Sequence, residues 1–462
     1  MRRALASFAF TLLAAASAAN AQTKAFVYAT DYSTGSLSAA ALQPRTVACD
    51  VASPHSDASL RFYGGQLYVV NRFGGDNIQV VHPATYLTLR QFSVGNGSNP
   101  HDIAFASATK AYVTRYQSND LWIVNPATGV HTGTISLAAF ADPDGLCEMD
   151  RLHVVGPLLF VSLERIRTDQ GYAPDDSGLV AVVDMRTDTI VDCDPVAPGA
   201  QAILLPLTNP FTAFQFDAAT SRLLIGCAGA FGVNDGGIVR IDPVNLRADG
   251  VAITEAALGG DVNDFVWGGP QKSWAVTADA AFTTHLVSWS AQTGSVLATL
   301  WTPGGYALAD IERAGNELWV CNNSFSTPRV RVFSTVTDAV VGSDVVCALP
   351  PVALSFDQAS AQAAGVGGES ARAMFSAAAP SPTRGATAFT LTLAEPREAS
   401  VTVFDPSGRR VRVLLAGVRP SGPAAVVWDL ADGAGARVAP GLYLVRAEAG
   451  GASWTRRVIV LE

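Results

Sequence analysis

The stretch GNGSNPHDIAFASATKAYVTRYQSNDLWIVN, residues 95–125, decides the fold. Within it, AYVTR (Ala111 to Arg115) and LWIVN (Leu121 to Asn125) are short runs of β-branched and aromatic residues separated by a polar turn. No helical period links them, so each reads as a strand. A run around Asp102 precedes them, and another, Thr134 to Leu137, follows a turn marked by Pro, Thr and Gly. The same order returns along the chain. LYVVN (67–71) is followed by NIQVV (77–81), LFVSL (159–163) by LVAVVD (179–184) and LLIGC (223–227) by GIVRID (237–242). SWAVT (273–277) precedes HLVSW (285–289), and LWVCN (318–322) precedes VRVF (330–333).

Equivalent positions on the first strand of each unit fall at Ser59, Asp102, Asp150, Ala213, Asp264, Asp310 and Ala353, separated by 43, 48, 63, 51, 46 and 43 residues. A four-stranded unit of about 40–50 residues is the period of a propeller blade. The array starts at a second strand, AFVYAT (25–30), and stops on a lone first strand, PVALSF (351–356). These fragments complement each other, so one blade is completed from both ends and no sheet edge is left open at the seam. The expectation is an all-β chain: a seven-bladed β-propeller over residues 22–357. Glu164 to Ser177 (ERIRTDQGYAPDDS) replaces a short turn in the fourth blade and should project as a long loop.

LYVVN, AYVTR and LWVCN, with the Gly95–Phe105 segment before one of them, resemble the YVTN-type repeats of bacterial seven-bladed propellers. The likeness spans roughly Lys24 to Asp357 and is weakest in blades four and five. Beyond it, residues 358–380 are dominated by Ala, Gly and Ser, a linker composition. The charge then changes sign: residues 379–462 carry ten Arg against seven acids. Alternating runs at 388–393, 400–404, 411–415, 424–428, 441–447 and 456–461, split by Pro and Gly turns, predict a small β-sandwich over 381–462. SPSPTRGATAFTLTL, VTVFDPSGRRVRVL, VVWDLADGAGARVAPGLYLVR and TRRVIVLE are similar to the C-terminal immunoglobulin-like domain of flagellar hook-capping-like proteins and type IX secretion sorting tails. That resemblance implies sorting or surface attachment. Ser381-Pro382 stands where the family usually opens with Asn-Pro, and Glu462 ends the chain where basic residues are common.

Met1-Arg2-Arg3, the apolar Ala4 to Ala18 and Ala19-Asn20-Ala21 have the order of a secretory signal peptide, residues 1–21. Export to the periplasm, the cell surface or the medium follows as an expectation. No later charge-free apolar run reaches the roughly 20 residues of a membrane span. A net charge of −9 and pI near 5.2 lack the basic surplus that nucleic acid selects. Six cysteines in an exported chain make some pairing plausible, with fifteen possible connectivities. Cys227 and Cys321, inside strand-like runs, suit small buried thiols. A monomer is expected.

Side chains at the start of innermost strands face the channel mouth, and Asp102, Asp150, Asp264 and Asp310 hold that position in four blades. A ring of carboxylates from separate blades suits a hard cation such as Ca2+. Alternatively, each Asp accepts backbone N–H groups at its own turn. His101 belongs to a repeat motif, and Arg72, Arg115 and Arg165 follow second strands, where they could rim the same face and grip an anionic ligand. His55 and His153 read as turn or surface residues. Asp142, Asp144 and Glu148 read as a solvated acidic turn without EF-hand spacing. No nucleophile elbow, P-loop, dinucleotide fingerprint or H-E-x-x-H is present. Two functions remain: a non-catalytic exported propeller binding a surface glycan, peptide or protein on its funnel face, or a metal-assisted, lactonase-like hydrolase at the channel mouth.

Overall fold

The computed structural model describes residues 23–357, 374–375, 381, 383–393, 397–405, 409–419, 422–449 and 452–461. The signal peptide expected over 1–21 and nearly all of the linker expected over 358–380 lie outside the described residues. The chain divides into two units at the Val366–Gly367 junction.

The first unit holds seven antiparallel blade sheets and one separate two-stranded hairpin. Blade 2 runs Ala58–Tyr63, Gln66–Asn71, Asn77–Val81, Thr88–Ser93, from inner to outer strand. Blade 3 repeats this with Pro100–Ser107, Lys110–Arg115, Asp120–Asn125 and Val130–Ser136. Blade 4 begins Met149–Val155 and Leu158–Leu163, then reaches Leu179–Asp184 across the insertion, a long loop as expected, which carries a small hairpin of Ile166–Arg167 with Ala173–Pro174. Blade 5 has a short inner strand, Gln215–Asp217, just beyond the Ala213 position chosen from spacing, followed by Arg222–Cys227, Gly237–Asp242 and Arg247–Thr254. Blade 6 comprises Asp261–Val266, Ser273–Ala278, Thr284–Ser290 and Ser295–Trp301. Blade 7 has Leu308–Ala314, Glu317–Asn322 and Arg329–Ser334, its outer edge met only by single bridges from Val340 and Val345.

Blade 1 takes strands from both ends. Its order is Pro351–Phe356, Lys24–Thr30, Gly35–Ala41, Val47–Ala52. Ala25 pairs with Phe356, Phe26 with Ser355, Val27 with Leu354 and Tyr28 with Ala353. Thr30 N donates to Pro350 O and Asp357 N to Lys24 O, extending the seam at both ends.

Strands of a blade are buried on both faces, which is why they read as continuous apolar runs rather than alternating ones. Successive side chains serve opposite neighbours. In the seam strand, Ala25 and Val27 pack with Trp319, Val330 and Val332 of blade 7, while Phe26 and Tyr28 pack with Leu67 and Val69 of blade 2. Every other blade junction carries its own cluster: Val70 with Ile103 and Val113, Tyr112 with Leu152 and Val161, Val182 with Leu223 and Ile225, Ile238 with Phe265 and Ala275, Val276 with Leu318 and Val320. Tight hairpins join inner to second strands. In blade 2, Gly64 and Gly65 occupy the left-handed region (φ 57° and 75°), which lets Tyr63 pair directly with Gln66.

The second unit is the expected sandwich. Met374–Phe375, Thr387–Leu393 and Gly422–Trp428 form one sheet, and Arg410–Arg419, Arg397–Phe404, Gly441–Ala449 and Ala452–Val460 the other. Phe389, Leu391, Val401, Val403, Trp428, Val445 and Val458 are fully enclosed between them.

One disulfide, Cys49–Cys347, links the outer strand of blade 1 to the chain leading into its inner strand, across 298 residues of sequence. Cys147, Cys227 and Cys321 are buried free thiols and Cys193 is a half-buried one. Because the bridge restrains the unfolded chain over so long a loop, removing it with Cys49→Ser and Cys347→Ser should cost the propeller about 2–5 kcal/mol. Urea unfolding followed by tryptophan fluorescence would show a lower midpoint; an unchanged midpoint refutes the stapling role.

Candidate functional site

The inner strands are irregular where they carry acids. Register shifts interrupt pairing between Pro100 and Ile103, Met149 and Leu152, Val262 and Asp264, and Leu308 and Ile311. A bulge re-aims a side chain and leaves amides without ladder partners. The carboxylates take those amides up. Asp102 accepts from Ile103 N (2.7 Å) and, across the junction, from Leu152 N of blade 4 (2.9 Å). Asp264 accepts from Phe265 N (2.8 Å) and from Ile311 N of blade 7 (3.0 Å), and Asp310 from Leu354 N of blade 1 (2.6 Å). Each acid therefore ties its own inner strand to the next one.

Charge balance in the channel comes from two arginines that the sequence reading passed over. Arg61 grips Asp102 with two parallel bonds, Nε to Oδ1 at 2.7 Å and Nη2 to Oδ2 at 2.5 Å. Arg151 Nε lies 3.1 Å from Asp150 Oδ2, and the charges of Asp102, Asp264 and Glu164 also favour its cation. Asp264 and Asp310 lie side by side. Burial, then their mutual repulsion, lifts Asp264 well above the usual carboxyl range; Asp310 is raised too, chiefly by burial. Burial and Asp310 raise Glu312 to about 8.

At the mouth, His101 Nδ1 is 2.7 Å from Asp150 Oδ1, and Arg72 Nη2 is 3.0 Å from His101 Nε2. A guanidinium only donates, so Nε2 is the acceptor and Nδ1 carries the proton given to Asp150. Burial and the Arg72 charge depress His101 to about 4, keeping it neutral near pH 7. Tyr116 stacks on the imidazole at 4.2 Å and its hydroxyl donates to Glu164 Oε2 at 2.8 Å. Burial and Asp150 hold Glu164 well above its ordinary value, whereas Asp150, facing Arg151 and His101, falls to about 2. One donor atom each of His101, Asp150 and Glu164 lies within 4.8 Å of the others. Asp102, Asp264 and Asp310 join no such cluster among the described residues; their oxygens serve Arg61, each other and the amides named above.

The remaining predicted residues are dispersed. Arg115 lies over Trp122 at 4.5 Å and donates to Val94 O. Arg165 pairs with Asp175 at 2.5 Å inside the insertion. His55 is held in a turn beside Asp57. His153, expected at the surface, is instead buried among Arg61, Phe214 and Phe216, because inner strands contact both neighbouring blades. Asp142 and Glu148 are also buried rather than solvated, since the blade 4 insertion folds over them.

A feature of the same face was missed in the sequence. In an antiparallel blade, every loop between the second and third strands lies at the end where inner strands begin. Each of these seven loops carries an aromatic residue: Tyr32, Phe73, Tyr116, Tyr172, Phe231, Phe282 and Phe325. Tyr116 turns inward over His101; the other six are exposed, from 46% for Phe231 to 70% for Tyr172. Tyr306, in the crossover to blade 7, is likewise exposed and accepts from Asn263. The signal was an aromatic one to nine residues after each second strand.

Residues 377–453 match the family model of the FlgD Ig-like domain. A search of curated proteins found no match. Among solved structures, the propeller is similar to a putative 6-phosphogluconolactonase from Bacteroides fragilis, with 11% identity and a TM-score of 0.51, covering 74% of this chain and 99% of that one. It is also similar to AztD from Citrobacter koseri (11% identity, TM-score 0.44, 72% and 98% covered) and to the Dos1 propeller (11%, 0.45, 69% and 79%). At such identities the likeness concerns the fold alone.

His153 yields a pH test. Burial and the Arg61 charge lower it from 6.5 to about 3. The unfolded chain therefore takes up a proton below pH 6.5 that the folded chain refuses, so this contribution to stability is complete above 6.5 and fades as pH falls. Between pH 7 and 4 the wild type should lose about 2–3 kcal/mol more than His153→Phe, at roughly 1.4 kcal/mol per pH unit. Parallel stability–pH curves for the two proteins would contradict the assignment.

Proposed function

We propose that this chain is an exported, non-catalytic propeller that binds a surface glycan, peptide or protein on its funnel face, with the immunoglobulin-like unit serving attachment or sorting. The observation that carries the reading is the aromatic collar. Exposed aromatic residues are costly to leave in water, and their recurrence at one loop position in six blades is not the single scatter normal for surfaces. Aromatic side chains also supply the large, rigid contact area typical of binding surfaces. The buried centre supports the same reading. Its four aspartates are committed to Arg61, Arg151, His101, one another and strand amides, which withdraws them from activating a substrate. The Cys49–Cys347 bridge agrees with an oxidising compartment.

One observation favours a metal-assisted hydrolase as a second reading: the His101, Asp150 and Glu164 donors lie within ligand distance of one another. Against it, both imidazole nitrogens are already engaged, and an ion there would have to displace the proton on Nδ1.

The two readings separate experimentally. The full-length protein is screened against soluble polysaccharides by affinity electrophoresis and against a peptide array. A binder should lose at least about tenfold affinity, roughly 1.4 kcal/mol, in the triple variant Phe73→Ala, Phe282→Ala, Phe325→Ala. The melting temperature should stay within a degree or two, because exposed side chains contribute little to the core. Lactone hydrolysis stimulated by divalent metal and abolished by His101→Ala overturns the binding role in favour of the second reading.

A further inference from the structure

The crossover from blade 3 to blade 4 reads Asp142-Pro143-Asp144-Gly145-Leu146-Cys147-Glu148. Asp142 N donates to Leu146 O, and Gly145 N to Asp142 O, curling the segment into a compact loop. One carboxylate oxygen from each of Asp142, Asp144 and Glu148 lies within 4.8 Å of the others. Asp142 and Glu148 are only 5% and 1% exposed. Oδ2 of Asp142 and Oε1 of Glu148 are both sealed from solvent and have no hydrogen-bond partner. Asn119 of blade 3 donates through Nδ2 to Gly145 O, and its own Oδ1 is likewise enclosed and unpartnered.

Of the three acids brought together, Asp142 and Glu148 carry unanswered oxygens that lack a positive counterpart. Arg165 and Arg167 are the nearby cations; Arg165 is spent on Asp175 and Ser177, and Arg167 on Asp169. An unpaired buried carboxylate oxygen is among the costlier arrangements a protein can hold. The other oxygens in the loop are spoken for: Asp144 Oδ2 accepts from Thr168 N and Oγ1, and Glu148 Oε2 from Ile166 N. Those bonds come from the blade 4 insertion, so the loop and the insertion already meet at this point.

We propose that Asp142, Asp144 and Glu148 bind a calcium ion that clamps the blade 4 insertion onto the blade 3–4 crossover. All the donors are oxygens, which selects a hard cation. Calcium accepts an irregular set of six to eight oxygens, including carbonyls and water, whereas magnesium demands near-octahedral geometry. The site is separate from the His101–Asp150–Glu164 cluster and does not depend on the binding role of the collar.

The test uses the full-length protein, stripped with chelator and titrated with calcium chloride at pH 7 by calorimetry. One ion per chain should bind, with affinity reduced at least about a hundredfold in the isosteric Asp142→Asn, Glu148→Gln variant and retained in His101→Gln. Trypsin provides a second measurement on the wild type alone. Cleavage after Arg165 and Arg167 requires the insertion to open, so an ion at a hundred times its dissociation constant should slow it up to about a hundredfold. Absence of both heat and protection overturns the proposal, showing that protons alone neutralise the cluster. Calcium binding lost in His101→Gln and kept in the loop variant also overturns it, by moving the ion to the channel.

Discussion

Everything in the first unit depends on the pairing of Lys24–Thr30 with Pro351–Phe356. A propeller blade buries both faces, and neither face can be satisfied unless a neighbour stands on each side. An open array of seven would expose two apolar faces at its ends. Joining the first and last segments in one sheet removes both at once: Val27 and Phe356 complete the contact with Trp319, and Phe26 and Tyr28 complete the contact with Leu67. The price is long loop closure, since the partners are over 300 residues apart in sequence.

The same closure organises the channel. Inner strands converge, and the bulges that let them do so release amides that the acids of Asp102, Asp264 and Asp310 collect from the following blade. The expected ring of carboxylates is thus present in sequence but divided in space. Asp102 is matched by Arg61, Asp150 by Arg151 with a hydrogen bond from neutral His101, and Asp264 and Asp310 sit together, where burial and repulsion disfavour their ionisation. Burial raises the cost of any uncompensated charge, and the three solutions differ only in what supplies the compensation.

The repeat, the blade number and the seam were legible because they rest on local strand patterns and chain order. LYVVN, AYVTR and LWVCN announce second strands whatever surrounds them. The compensating groups were not legible, because Arg61 and Asp102 stand in different blades, as do His101 and Asp150, and no spacing rule joins them. His153 misled for a related reason: a polar residue on an inner strand has no solvated side to turn to. Asp142 and Glu148 looked like a solvated turn because the insertion covering them comes from the far side of a strand pair. The collar, by contrast, was readable and overlooked. Tyr32, Phe73, Phe282 and Phe325 follow their strands by two to four residues, a spacing that is plain in the sequence.

The position of Cys347 governs how the molecule answers a pull. A tug arriving through the segment after Asp357 falls first on Pro351–Phe356, held to Lys24–Thr30 by a ladder of hydrogen bonds that can be peeled away. Peeling halts at the covalent bridge to Cys49, after about nine residues, a contour length of roughly 30 Å. From there, tension bypasses the innermost strand and passes into the rim of the first blade. The seam can thus open no further than the bridge allows, which keeps the two ends of the array within reach of re-pairing.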